Sequence, residues 1–333
     1  MNNAQNVNAQ TMRYIRTFTE ICKEDVELVG GKAAMLGELT KAGFINVPQG
    51  FSVTDDALAY HIKDNNLDSV IDDLAASINY DDYADTEEKT NKIRTLIASV
   101  TIPQDLHLEI SGAVAEIEKY GEPFVAVRSS VSIKDSKISS FPGMMDTFHY
   151  LKGEKEIIEH IRLCWASLWT SRATFTRHRQ NIDHKKAVIA PIVQNMVHSE
   201  TAGVMFTAHP ISGDRNEIVI EANWGLGESV VSGKSMNDFF VIDKSTLQEK
   251  TRRISEKTFM VCFDEEKGIG RKECEVPPHL MKATTISADQ VRELGETGLR
   301  IEKHFGFPQD IEWAYANGQL YILQSRNVKT IKM

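Results

Sequence analysis

The sequence predicts a mixed α/β (α+β) fold in two lobes, on three observations. Helical patterning dominates to about residue 186, whereas short apolar and β-branched runs dominate from 187 onward. An apolar run at 187–197 falls where the pattern changes and reads as a hinge strand. Two alternating runs joined at Asn317-Gly318 close the chain and read as a β-hairpin. The expected division is a flexible segment 1–12, a first lobe 13–186 and a second lobe 187–333, with a helical acidic insert at about 64–118 in the first.

Composition narrows the class. With 41% hydrophobic and 26% charged residues the chain has the balance of a globular protein, so no long disordered tract is expected. The formal charge of −9 argues against general affinity for nucleic acid. No apolar run reaches the length of a membrane span, and the first ten residues lack the parts of a signal peptide. A cytoplasmic protein is therefore expected. Four cysteines, Cys22, Cys164, Cys262 and Cys274, form no CxxC pair, which argues against zinc and for reduced thiols.

In chain order, order begins near Tyr14, and 29–43 reads as a glycine turn opening a helix that Gly43 stops. A strand at 47–53 leads to a helix capped by Thr54. Helices fill 64–118, with acidic pairs on their solvated faces. A short strand, 124–127, delivers Arg128, and the serine- and lysine-rich 129–140 reads as a loop. A helix spans 154–180, with Trp165 and Trp169 toward the core. Strands at 187–197, 203–207 and 217–222 precede a glycine-rich stretch, 224–228; 238–243 begins a second set of strands, and a helix, 287–305, leads to the hairpin.

Candidate chemistry lies in that hairpin and in three segments before it. Side chains alternate along a strand, so Asp310 and Glu312 share a face of one arm, and Gln324 and Arg326 a face of the other. A two-residue turn would set Glu312 against Leu323 and send Gln324 to the far side. A three-residue loop would set Glu312 against Gln324 and Asp310 against Arg326. The second register gathers hard oxygens and a guanidinium, a set suited to a divalent cation and a polyphosphate. The alternative is an ordinary hairpin with a solvated acidic arm. Lys32 follows two glycines at a helix start, where backbone amides favour an anion, although a turn with a surface lysine has the same pattern. It is not a P-loop, since Val26 and Ala33 stand where that motif needs glycine and Ser or Thr. Arg128, at the mouth of a loop, suits either phosphate recognition or a salt bridge at the sheet edge.

Five segments, in this order, resemble the nucleotide-binding domain of one family. These are Gly30-Gly31-Lys32 with its helix, Arg128 after its strand, 141–147, Gln194 to Met196 before 203–207, and Asp310 to Trp313 with 320–326. They are similar to the ATP-grasp domain of phosphoenolpyruvate synthase, pyruvate phosphate dikinase and rifampicin phosphotransferase. The resemblance implies ATP between the lobes and Mg²⁺, or Mn²⁺, on Glu312 and Gln324. It implies that Lys32, Arg128 and Arg326 neutralise phosphate charge, with Asp310 in the same nucleotide-binding set. Gly143 and Thr147 would fold over the phosphates, Gln194 and the Met196 backbone would meet adenine, and Glu221 with the 225–227 glycines would line the ribose. The loop 131–135 departs from the synthases, whereas 141–147 resembles the dikinases, and His209 is a neutral variation.

None of the ten histidines has the setting of the family's phosphorylated histidine. The resemblance therefore implies a separate partner chain that carries this histidine and the acceptor site. As a chain of this size it resembles the ATP-binding subunit of phenylphosphate synthase, which implies phenol as the acceptor. The alternatives are a domain of a phosphoenolpyruvate synthase or rifampicin phosphotransferase, and a nucleotide-sensing module without turnover.

Overall fold

A computed structural model of the chain describes residues 13–119, 123–136 and 147–328. The expectations for 1–12 and for Gly143 lie outside them. The chain opens with β1 (Ile15–Thr17) and α1 (Val26–Ala42), and α1 ends on Gly43 in the left-handed conformation, φ 69°. Next come β2 (Gly50–Val53) and α2 (Asp55–Asp64). The acidic insert forms α3 (Asp68–Ala76), α4 (Tyr83–Ser99) and α5 (Gln104–Glu118), which turn Ile71, Ile93, Ile97 and Leu106 inward. Their carboxylates stay at the surface because burying an unpaired charge is costly.

β3 (Val125–Ile133) continues well past Arg128. The reading of 129–140 as a loop from its first residue is thereby corrected. Ser129, Ser130 and Ser132 are fully buried in the strand, and each hydroxyl has a partner: Ser167 Oγ, the Ala33 N–H and the Val26 carbonyl. β4 (Thr147–Leu151) runs antiparallel to β3, placing Thr147 opposite Arg128. The expected single helix over 154–180 is two, α6 (Glu154–Ser167) and α7 (Ser171–Arg179), with Thr170 capping the second through the Ala173 N–H. Trp165 and Trp169 are buried in the core, as expected.

β5 (Ala187–Asn195) lies inside the first sheet, whose order is β1-β2-β5-β3-β4. The boundary placed at 187 is thus corrected at the level of strands, since the sheets change between Asn195 and Thr201. An unbroken apolar run fits a central strand covered on both faces, and that cover explains why it reads unlike its neighbours. The second sheet begins with β6 (Thr201–Phe206) and β7 (Glu217–Trp224), and the short α8 (Glu228–Val231) follows the glycines. β8 (Asp238–Asp243) and β9 (Glu249–Arg253) complete one edge. A separate two-stranded ribbon, β10 (Phe259–Phe263) and β11 (Arg271–Glu275), precedes α9 (Ala288–Phe305), whose Ser287 makes a capping box with Gln290. β12 (Gln309–Ala316) and β13 (Gln319–Asn327) form the other edge, giving the order β13-β12-β6-β7-β8-β9. No helix among the described residues is long and apolar enough to cross a membrane.

In this ribbon Cys262 and Cys274 form a disulfide, Cα atoms 6.3 Å apart, so the expectation of four reduced thiols is corrected for these two. Their separation of 12 residues conceals a pairing that only the hairpin creates.

Helix α1 joins the two sheets. Val29, Ala33 and Leu36 pack with Ile192 of the first sheet, while Leu39 sits in the core of the second beside Ile322 and Trp313. It is kinked at Gly30, which leaves helical geometry with φ 73° and ψ 168°. The helix resumes at Gly31, and its Ala33 N–H is capped from outside by Ser130 Oγ at 3.1 Å. A Cβ on Gly30 would meet the Ser130 side chain and stand 2.6 Å from its carbonyl oxygen. Gly30→Ala is therefore expected to destabilise the fold by about 2–4 kcal/mol, from forced φ and overlap together. Denaturant unfolding would measure it, and an unchanged midpoint would refute this account of Gly30.

Candidate functional site

The hairpin resolves the choice of register in a way neither alternative contained. Its turn has two residues, Asn317 and Gly318, both at positive φ (51° and 72°), as a type I′ turn requires. Ala316 pairs with Gln319, and the ladder runs regularly to Trp313 opposite Ile322. A bulge then inserts Leu323, and beyond it Glu312 pairs with Gln324 and Asp310 with Arg326. The bulge restores the pairing that a two-residue turn alone forbids. It also releases the Leu323 carbonyl from the ladder, and that oxygen accepts a hydrogen bond from Arg128 Nη1 at 3.0 Å.

Arg128 thus spans the two sheets. Its Nη2 donates to Glu312 Oε2 at 3.1 Å and to Gln324 Oε1 at 3.0 Å, and Gln324 Nε2 donates to Glu312 Oε1 at 3.0 Å. The guanidinium Nε is buried without a partner among the described residues. Arg326 grips Asp310 Oδ2 through Nε and Nη2, both at 2.8 Å, one step further along the hairpin and outside the lining of the cleft.

The cleft between the sheets has a volume of about 430 Å³, within the range of small-ligand sites. Lys32, Arg128 and Glu312 line it, as do Gln194, Met196, Val197 and Ser199. Burial and the nearby charges of Arg128 and Arg326 pull the Lys32 ammonium down to about 7, with Glu312 opposing. Near neutral pH this lysine is therefore only partly protonated.

The other expected residues fall into place unevenly. Thr147 lines the cleft beside Arg128. Gln194 lines it too, with its side-chain amide donating to the Pro48 carbonyl at 3.2 Å. Met196 lines the cleft, and its backbone N–H donates to the Phe124 carbonyl at 2.9 Å. Of the ribose set, Gly227 lines the cleft and Glu221 does not; its carboxylate accepts from Asn237 Nδ2 at 3.1 Å.

Three lining residues carried no signal of their own in the sequence. His149 of β4 is held neutral by burial and by the Arg128 and Arg271 charges, which push its imidazole down to about 3. Its Nδ1 stands 3.9 Å from Glu228 Oε2, and both atoms are buried without a hydrogen bond among the described residues. Arg271 of β11 pairs with the other Glu228 oxygen. Glu228 ends the glycine-rich stretch, and this adjacency was the only available pointer to it. His149 and Arg271 are ordinary members of alternating strands, and only tertiary structure turns them to the cleft.

The oxygens fit a small hard cation. Glu312 and Gln324 present a carboxylate and an amide oxygen across one rung of the hairpin, and Mg²⁺ is commonly held by one or two carboxylates with substrate phosphates completing the shell. No group of three or more His, Cys, Asp or Glu among the described residues makes an all-protein cage. Such a cation would offset phosphate charge.

A two-sheet α/β fold with a cleft lined by Lys32, Arg128 and Arg271 is suited to an anionic ligand. The chain belongs to a family of that kind: residues 26–333 match the pyruvate phosphate dikinase AMP/ATP-binding domain. It is similar to phosphoenolpyruvate synthase of Pyrococcus furiosus, 39% identical over 96% of this chain and 44% of that protein. It is also similar to the probable phosphoenolpyruvate synthase of Methanocaldococcus jannaschii, 41% identical over 98% of this chain and 28% of that one. A third such relative, from Staphylothermus marinus, is 42% identical over 91% of this chain and 39% of its own length. The chain thus spans less than half the length of these relatives. Among solved structures, D-alanine–D-alanine ligase from Bacillus anthracis is similar at a TM-score of 0.27 and 9% identity, covering 72% of this chain and 55% of that one. A likeness so distant carries no argument.

Proposed function

We propose that this chain binds and activates ATP for a dikinase-type phosphotransferase of the ATP-grasp kind. ATP is cleaved to AMP and phosphate, and the β-phosphoryl passes to a histidine on a domain outside these residues. The observation that carries the reading is the meeting of Arg128 of the first sheet with Glu312 and Gln324 of the second, beside Lys32 of α1, at a cleft inside a matched AMP/ATP-binding domain. Adenine lies toward Gln194 and Met196, and the phosphates toward Lys32 and Arg128. Arg326 adds positive charge from the adjoining rung. Glu312 and Gln324 hold Mg²⁺ or Mn²⁺. Fixed cations and donors aimed at phosphate oxygens are how such transfers are accelerated.

Relatives about twice this length or more support a histidine carried outside these residues. For the final acceptor, the synthase relatives favour pyruvate, the substrate of a phosphoenolpyruvate synthase. The phenol reading rests only on chain size.

Phosphorus NMR of the chain with Mg-ATP tests the proposal. The phosphate lines are expected to shift on titration, with AMP and phosphate appearing only when a histidine-bearing domain is added. Unshifted lines at roughly millimolar protein, where even weak binding registers, would overturn the reading. Binding with no AMP in the presence of that domain would leave a nucleotide sensor.

A further inference from the structure

We propose that Cys262 and Cys274 are a redox site, exchanging with low-molecular-weight thiols and disulfides, and that their state sets how firmly the nucleotide cleft is held. The second half rests on the nucleotide reading above. The two cysteines lie on facing strands of the ribbon, with Cys262 opposite Lys272 and Met260 opposite Cys274, which makes them diagonal neighbours. Both are half-buried, so a small reagent can reach them. Their Cα separation of 6.3 Å lies within the span a disulfide bridges.

What makes the pair more than a local staple is the position of the ribbon. It springs from the second lobe and fastens to the first. The Gly270 N–H donates to the Tyr150 carbonyl of β4 at 3.1 Å. Phe263, next to Cys262, packs its ring 4.9 Å from that of Phe124 and 4.9 Å from that of Tyr150. On its inner side the Val261 carbonyl accepts from the Leu226 N–H at 2.8 Å, fixing the glycine-rich wall of the cleft. Arg271 reaches the cleft and holds Glu228. A two-stranded ribbon is marginal in water by itself, so a covalent link between its arms limits how far this strap can open.

The chemistry balances with a disulfide reagent. The thiolate of one cysteine attacks the reagent, releasing one thiolate and leaving a mixed disulfide; the second cysteine then displaces the other. Two protein thiols lose two electrons, their two protons end on the two released thiols, and the reagent is reduced. A thiol in excess reverses both steps.

The test uses the whole chain equilibrated with oxidised or reduced glutathione. Denaturing alkylation should add two groups to the oxidised protein and four to the reduced one, since the chain has four cysteines and one pair. Mg-ATP affinity is expected to fall about five- to tenfold on reduction, by widening the cleft ensemble. The C262S/C274S variant should hold the weaker affinity in both buffers. Trypsin should cut the exposed Lys267 in the ribbon's loop faster in reduced protein. Four alkyl groups in oxidised glutathione, or equal affinity and equal cleavage in both states, would overturn the proposal. If neither state bound Mg-ATP the nucleotide reading would fall, and the alkyl count and cleavage rate would still decide the redox site.

Discussion

Arg128→Ala is expected to weaken Mg-ATP binding by about a hundredfold or more, because the variant loses a cation that reaches from β3 across the cleft to the hairpin. The same change removes partners from the Leu323 carbonyl, Glu312 and Gln324. Gln324 is almost fully buried and Glu312 only partly exposed, so the orphaned oxygens should cost about 2–3 kcal/mol of stability. The two losses can be separated by Arg128→Lys. An ammonium keeps the charge but cannot imitate a planar fork serving three acceptors, so stability should recover more than affinity, which stays at least about tenfold weak. Calorimetric titration and denaturant unfolding of both variants give the comparison. Wild-type affinity in Arg128→Lys would show that charge alone suffices and that the fork geometry is unused. There is a further consequence of where Arg128 sits. It donates to Glu312 Oε2 and Gln324 Oε1, so a cation held by these side chains, as proposed above, would compete with the guanidinium. Binding Mg-ATP should release Arg128 from them and turn it to the phosphates, coupling metal arrival to phosphate grip.

Much of this site was legible because its residues sit at sites of strong local signal. Gly30 and Gly31 announce a helix start and so point to Lys32. An apolar run leads into Arg128, and Asn317-Gly318 announces the hairpin. The pairing of the hairpin arms was not legible, since a bulge at Leu323 needs no glycine or proline to mark it. Strand β3 was read short for a related reason. Its serines look solvated in one dimension, yet each meets a partner far away in the chain, such as Ser130 with Ala33. The ribbon 259–275 falls within the second set of strands expected from 238 but has no bounds in the sequence, because β11 alternates charged and half-buried residues like a solvated loop and gains a face only against β10. His149 shows the limit most plainly. Its strand was outside the sequence reading, and its cleft-facing role comes from the register of β4 on β3 and from Glu228 across the gap.

Lys32→Met is expected to weaken Mg-ATP binding by about a hundredfold at pH 7 and to remove most of the pH dependence that the wild-type chain shows above neutrality. The sign follows from the lowered value, about 7, in the ligand-free cleft. A polyphosphate placed beside this lysine stabilises the ammonium, so its bound value lies higher. Below pH 7 the amine is already charged and affinity should be flat with respect to this group. Above it, binding takes up a proton, and affinity should fall by up to tenfold per pH unit until the bound value is passed. Folding carries the opposite slope. The unfolded chain protonates Lys32 with an ordinary lysine's affinity while the folded one does not, so this group's contribution makes the protein more stable as pH rises from 7 toward 10. Calorimetry in buffers of different ionisation heat measures the proton directly. Uptake near one proton at pH 8 in the wild type, lost in Lys32→Met, is the expected result. Equal uptake in both would move the titration to another group and leave Lys32 as a permanently charged contact.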